Sequence, residues 1–268
     1  MMKPKRCKVL DRMRNGETVN CFKFNLDGSR VVEMAGIAGF DCLWTCSEHT
    51  ANDYALIERQ ILAAKAYDTD IIVRVARGSY SDLIRAMELD ASGIMVPHVM
   101  SAADAREIAR RTRFHPVGLR PADGGNADGL FCYISFQEYI EFVNENRMVI
   151  IQIEDPEPMA ELDEICSIEG IDMIFFGPGD YSNAIGYPGQ ITHPEVQAAR
   201  IKIAETARKH GKLAGTTGSP AVFKEYSDMG YNLINVGADV HAIRSYCMNI
   251  LNDLAAGGCT VKPSGVYG

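Results

Sequence analysis

Short apolar runs alternate with helical patterns along almost the whole chain. The runs that read as strands are 21–25, 41–45, 70–74, 93–96, 117–120, 148–153, 172–176, 213–217 and 232–236. Between them, apolar residues recur at helical spacing over 29–38, 53–67, 81–89, 102–111, 136–146, 159–166, 194–210, 220–229 and 240–251. Several helices carry start signals. Thr192-x-x-Glu195 predicts a capping box, Ser101-x-x-Asp104 resembles one, and Ser219-Pro220 offers an N-cap followed by proline at the first helical position. Gly170, Gly211 and Gly230 stand where helices should stop. A short N-terminal helix, closed by Asn15-Gly16, precedes the repeat.

Strand, helix, strand, repeated in this way, predicts a parallel sheet wrapped by helices. Near-continuous apolarity along each strand fits burial on both faces. A doubly wound open sheet would want a glycine-rich phosphate turn after the first strand, and Asn25-Leu-Asp-Gly28-Ser is not one. The count and length fit a closed (β/α)8 TIM barrel instead. The run 117–120, the extra strand, follows His115-Pro116 and leads into a Gly/Asp/Asn loop, so it is left out of the barrel. The expected organisation is one domain over 1–268. It comprises an N-terminal helical extension over 1–19, the barrel over 20–250 and a tail over 251–268.

Barrel chemistry collects at the C-terminal ends of the strands. MVIIQIEDPEP ends one strand in Gln152 and Glu154, and alternation points both side chains the same way. IDMIFFGPGDYS ends the next strand close to Asp180. Adjacent parallel strands lie ~4.8 Å apart, so Glu154 and Asp180 are within reach of one Mg²⁺, Mn²⁺ or similar oxygen-loving cation. The alternative is an Asp180 that caps the following turn and a Glu154 paired with Arg74. His49, just past the second strand, is either a general base or a loop histidine bonded to backbone. Arg74 needs an anion, which a substrate carboxylate or enolate, Glu48 or Glu88 would supply. Glu88 itself reads as a solvated helix residue, and His98, His193 and Asp239 carry no specific signal. Gly177-Pro178-Gly179 exposes backbone N–H groups beside Asp180.

Composition narrows the class. A net charge of −8 and a pI near 5.3 argue against a nucleic-acid surface. No apolar run approaches the ~20 residues of a membrane span, and the basic N-terminus lacks the apolar segment of a secretory signal. The eight cysteines form no CxxC pair. Cys42 and Cys46, on one strand, would stand ~13 Å apart, too far for a bridge. Reduced thiols in a cytoplasmic protein are expected.

SEHT after the second strand, VRVARG, GIMVPHV, IIQIED and FFGPGDYSNAIGYPGQITHPEV together resemble the HpcH/HpaI aldolases, the metal-dependent pyruvate aldolases. The resemblance runs from about Asn20 to Ile250; its most specific pieces are QIE and GP-x-D-x-S followed by G-x-P-G and HPEV. It implies that Glu154 and Asp180 ligate Mg²⁺ or Mn²⁺, with Co²⁺ a further option, and that Gln152 holds a water or the pyruvate carbonyl. It implies that Arg74 stabilises the enolate oxygen and the Gly179 N–H receives the pyruvate carboxylate. His49 would move a proton, with Glu88 in the place of a partnering acid. The implied reaction cleaves or forms 4-hydroxy-2-oxo acids through a metal-held pyruvate enolate and an aldehyde, the proton going to His49 or to a hydroxide at the metal. No lysine stands at a strand end in these motifs, which disfavours a Schiff-base aldolase. The partners implied are a 2-oxo acid and an aldehyde. The last helix would be exchanged between neighbours in a homotrimer or hexamer.

Departures from the family pattern fall on the aldehyde side. Cys46 replaces an acid three residues before His49, Glu88 replaces Asp, and Val75-Ala76-Arg77 follows Arg74. RPADGGNADGLFCYIS replaces the usual R-x-S-R-Y-type segment, and Thr216 and Thr217 make the seventh strand more polar than usual. Cys46, Arg77 and the loop 121–130 are therefore expected to set the acceptor. Two other readings stay open. One is a CoA-ester lyase of the citrate-lyase-β-like branch, which would want a basic groove. The other is a weakened barrel that only binds a keto acid, for which Cys46 is the best support.

Overall fold

The computed structural model describes residues 4–261. Eight parallel strands close into one barrel in sequence order. They are β1 (Val19–Lys23), β2 (Cys42–Cys46), β3 (Asp70–Arg74), β4 (Gly93–Val96), β5 (Met148–Ile153), β6 (Met173–Phe176), β7 (Leu213–Thr217) and β8 (Leu233–Ala238). Residues 117–120 form no strand. β1 begins and ends earlier than the apolar run suggested, and β8 runs on to Ala238. Both shifts follow from closure: Val19 pairs with Leu233 and Lys23 with Ala238.

Alternation divides the strand residues into two cores. Inward-facing Val19, Cys21, Cys42, Trp44, Ile72, Met95, Met148, Ile150, Met173, Phe175 and Leu233 fill the barrel. The helix Lys8–Arg14 adds Val9, Leu10 and Met13 to that cluster and plugs the N-terminal end. Asp70 fastens the plug, accepting the Val9 N–H at 2.8 Å and the Ser92 hydroxyl at 2.8 Å. The outward-facing residues, such as Leu43, Val73, Ile151 and Ile174, pack beneath the surrounding helices.

Most helix signals act as expected. Ser101 Oγ accepts the Asp104 N–H at 3.1 Å, and Gly170, Gly211 and Gly230 all adopt positive φ. Thr192 does not cap. His193 is the N-cap of Pro194–Lys209, its ring nitrogen accepting the Glu195 N–H at 3.3 Å, because Pro194 takes the first helical position. The expected helix 159–166 is a 3-10 turn, Glu157–Ala160, followed by Leu162–Ser167. The last helix spans Asp239–Ala256, past the expected boundary at 250. The rest of the expected tail, 262–268, lies outside the described residues.

Candidate active site

The C-terminal mouth of the barrel is built on β5 and β6. Gln152 and Glu154 lie on one side of the chain and are buried. The Gln152 amide donates to Glu154 Oε2, while Gln152 Oε1 is buried without a partner. Gly177, just beyond β6, makes room for the pair: a Cβ there would stand 2.7 Å from Glu154 Oε2 and 2.8 Å from Gln152 Nε2. The next turn is the helix Pro178–Ala184, held by buried Ser182, whose hydroxyl donates to the Gly179 carbonyl and accepts the Gly189 N–H. Gly179 and Asp180 are exposed at its start, and a Cβ on Gly179 would meet nothing within 4 Å.

Opposite Glu154 stand two groups from β2 and β4. His98 follows β4 with φ 47°, which swings its backbone N–H onto Glu154 Oε1 at 3.0 Å. Its Nδ1 bonds Asp155 at 2.8 Å, and its Nε2 lies 3.6 Å from Glu154 and 3.8 Å from Glu48. Ligand atoms of Glu48, His98 and Glu154 all fall within 4.8 Å of one another. Arg74, at the end of β3, pairs with Glu48 at 3.0 Å rather than with Glu154. Its Nε also donates to Cys46 Sγ at 3.3 Å, so buried Cys46 occupies the flank of the guanidinium where an acid was expected.

The remaining expected residues divide. His49 is exposed beside Glu48, Nε2 to Oε2 3.5 Å. Asp180 makes no hydrogen bond or ion pair among the described residues, yet its charge acts on Glu154. Glu88 is not brought to His49: its surroundings are Arg120, Asp128 and Asp123, and burial raises its pKa. Arg77 is held by Asp104 at 2.8 Å and by the Pro97 carbonyl at 3.4 Å. In the loop 121–130, Asp128 is buried and bonds Arg120 at 2.7 Å and Tyr139 at 3.1 Å. Thr216 faces outward and bonds Arg200 at 2.9 Å, and Asp239 accepts the Asn25 and Leu26 N–H groups, so both are structural. One lysine does close a strand: Lys23 ends β1.

Burial governs the electrostatics of the rim. Burial raises the pKa of Glu154 from 4.5 to about 7; the His98 N–H and ring oppose the rise and Asp180 adds to it. Burial lowers the His98 pKa, but the Asp155 hydrogen bond and the charges of Glu154, Asp155 and Glu48 outweigh it and the net shift is upward. Both groups therefore hold protons in the folded chain that the unfolded chain has already released. Stability from these protons is present at low pH and falls as pH rises, for Glu154 between 4.5 and about 7. The loss is on the order of 3 kcal/mol for Glu154. We predict that melting temperature in EDTA falls from pH 5 to pH 8 and that a divalent cation cancels most of the fall. A flat profile in EDTA, with Glu154→Gln indistinguishable from wild type, would contradict this account.

Two carboxylates and an imidazole, from Glu48, Glu154 and His98, form a donor set suited to a hard or borderline divalent cation. The fold and this rim together define a (β/α)8 barrel enzyme that gathers Glu48, His98 and Glu154 at its catalytic end. Residues 24–245 match the HpcH/HpaI aldolase/citrate lyase family profile, and the chain belongs to that family. It is 32% identical over 263 residues to a hydroxypyruvate/pyruvate aldolase of Pseudomonas aeruginosa, covering 96% of each chain. It is 31% identical over 243 residues to a 4-hydroxy-2-oxo-heptane-1,7-dioate aldolase of Shigella sonnei (strain Ss046), covering 90% of this chain and 92% of that one. Among solved structures, the citrate synthase SbnG superposes with a TM-score of 0.86 at 27% identity, covering 94% of this chain and 99% of its own.

Proposed function

We propose that the rim of this barrel holds Mg²⁺ or Mn²⁺ on Glu154 and Asp180, and that the protein there cleaves or forms a 4-hydroxy-2-oxo acid. The protein is an aldolase-type carbon–carbon lyase, as its relatives are named. The observation that carries the cation is Glu154 itself, a carboxylate buried at a strand end, bonded by the Gln152 amide N–H and raised by burial to about 7. Glu48 is committed to Arg74, and His98 to Asp155, whereas Asp180 has no partner among the described residues. Asp180 is thus the rim carboxylate without such a partner, next to a Glu154 that accepts from the His98 N–H and the Gln152 amide.

When bound, the cation supplies a Lewis acid that draws charge toward the oxygens of the 2-oxo acid. Gln152 orients the keto group through its buried amide. The Gly179 N–H, in the first turn of its helix and without an intrahelical acceptor, takes the substrate carboxylate in open space. As the C3–C4 bond breaks, its electron pair stays with the pyruvate fragment as an enolate, and the Arg74 guanidinium lies beside the forming oxyanion. The C4 hydroxyl loses its proton to His49, which is exposed and exchanges it with water. Glu88 has no role within one chain in this scheme. A coupled assay for pyruvate released from 4-hydroxy-2-oxo acids tests the proposal: EDTA should abolish release and Mg²⁺ or Mn²⁺ restore it. Release indifferent to EDTA would contradict it.

The last helix supports an oligomer. Ile243, Tyr246, Ile250, Leu251 and Leu254 are exposed on Asp239–Ala256 at helical spacing, an apolar stripe that a neighbouring subunit would cover. Light scattering should give a trimer or hexamer, and the double variant Ile250→Asp, Leu254→Asp should be smaller. A monomeric wild type would contradict helix exchange. We place the protein in the cytoplasm, on its scattered thiol cysteines; fractionation against a cytoplasmic marker tests this. Among the described residues no helix is long and apolar enough to cross a membrane.

A further inference from the structure

Lys23 plays no part in the chemistry above, yet it stands inside the mouth. Val19 and Cys21 face the barrel interior, so the strand's period of two puts Lys23 on the same inward face, one layer higher. It is level with Trp44 on β2 and Ala238 on β8. Lys23 Nζ lies 5.0 Å from the centre of the Trp44 ring, and Arg74 Cζ lies 5.1 Å from the same centre. The two cations are thus no further apart than those two distances combined.

Their partners differ. Arg74 has Glu48 at 3.0 Å. Lys23 has no hydrogen bond or ion pair among the described residues, and the ring face offsets only part of its desolvation. Cys46, inward on β2 beside Arg74, is a buried thiol, and the acids whose charges reach Lys23, namely Glu48 and Asp180, form no ion pair with it. The Trp44 indole N–H is also buried without a partner. An ammonium and a guanidinium near one ring both offer donors to an anion. The pKa of Lys23 is lowered, first by burial and next by Arg74, against the opposing charges of Cys46, Glu48 and Asp180.

We propose that Lys23, with Arg74, forms a second anion subsite inside the barrel mouth, and that the acceptor aldehyde carries a carboxylate or phosphate which this subsite binds. The proposal rests on the aldolase reading and adds the class of its second substrate. Lys23 is a specificity residue here, and it forms no covalent bond.

The test compares the addition of pyruvate, with Mn²⁺, to glyoxylate, to glyceraldehyde 3-phosphate and to neutral glycolaldehyde. Wild-type kcat/KM should favour one of the two anionic aldehydes over the neutral one by at least about tenfold, and which one it is separates carboxylate from phosphate. Lys23→Met should erase that ratio mainly by raising KM for the anionic aldehyde, and Lys23→Arg should retain most of it. A wild type without anionic preference overturns the proposal, as does an equal fall for charged and neutral aldehydes in Lys23→Met. So does a pyruvate adduct trapped on Lys23 by borohydride, which would make the lysine a nucleophile. If Lys23→Met fails to fold, the wild-type ratio and Lys23→Arg still decide. Wild-type protein that does not exchange pyruvate methyl protons with D₂O refutes the aldolase reading itself, which keeps the two failures apart.

Discussion

Glu154→Gln is expected to lower metal-dependent cleavage by at least about 100-fold and to remove the rise in melting temperature that Mg²⁺ or Mn²⁺ gives the wild type. Glutamine is nearly isosteric and keeps an oxygen for the His98 N–H, so the β5 terminus should keep its shape. What it loses is the charge. In the wild type that charge is buried at 1% exposure, with Asp180 adding negative potential. A site that pushes a carboxylate up to about 7 favours any cation that relieves it. Glu154→Gln in EDTA should also lose the pH dependence of stability between 4.5 and about 7, because the proton that produced it is gone. Calorimetric titration with Mn²⁺ checks the first effect, and melts at pH 5 and pH 8 check the second. Unchanged metal affinity would mean that the cation binds elsewhere.

Arg74→Met should damage both stability and catalysis. Arg74 is buried and Glu48 nearly so, and removing one member of such a pair leaves the other charge uncompensated, at a cost of about 3 kcal/mol. The guanidinium also stacks against Trp44 and donates to Cys46. In the proposed reaction its larger role is beside the enolate oxygen, where loss of one donor lowers the rate by about 10²–10³. Arg74→Lys separates the two roles. It restores a charge near Glu48 but not the planar fork, so stability should recover more than rate. Denaturant melts and pyruvate-release kinetics read these separately. A variant that is unstable but turns over normally would confine Arg74 to structure.

The barrel was legible because parallel strands covered on both faces must be apolar almost throughout. The Gln152 and Glu154 pair was legible for a related reason: alternation puts two polar groups on one face of an otherwise apolar strand. Arg74 at its strand end was read from the same pattern, and Glu48 was among its weighed partners. His98 was not legible. It follows Pro97 in a loop, and only the backbone turn at φ 47° aims it at Glu154; the weak signal was its place directly after β4, beside β5. Lys23 was missed because the apolar run placed the first strand over 21–25 and left the lysine mid-strand, whereas pairing with β8 ends it there. Arg77 was expected to help set the acceptor because it lies near the rim, and its guanidinium is held there by Asp104. Composition does not distinguish a polar side chain that faces a substrate from one that closes a loop.

In the proposed reaction this rim makes an enolate of pyruvate with a divalent cation on Glu154 and Asp180. Incubating the protein with pyruvate and Mg²⁺ or Mn²⁺ in D₂O, then following the methyl protons by NMR after chelating the metal, tests it without any aldehyde. The methyl signal should decay only when protein and metal are both present, and EDTA should stop the decay. A methyl signal that persists across Mg²⁺, Mn²⁺ and Co²⁺ would contradict it.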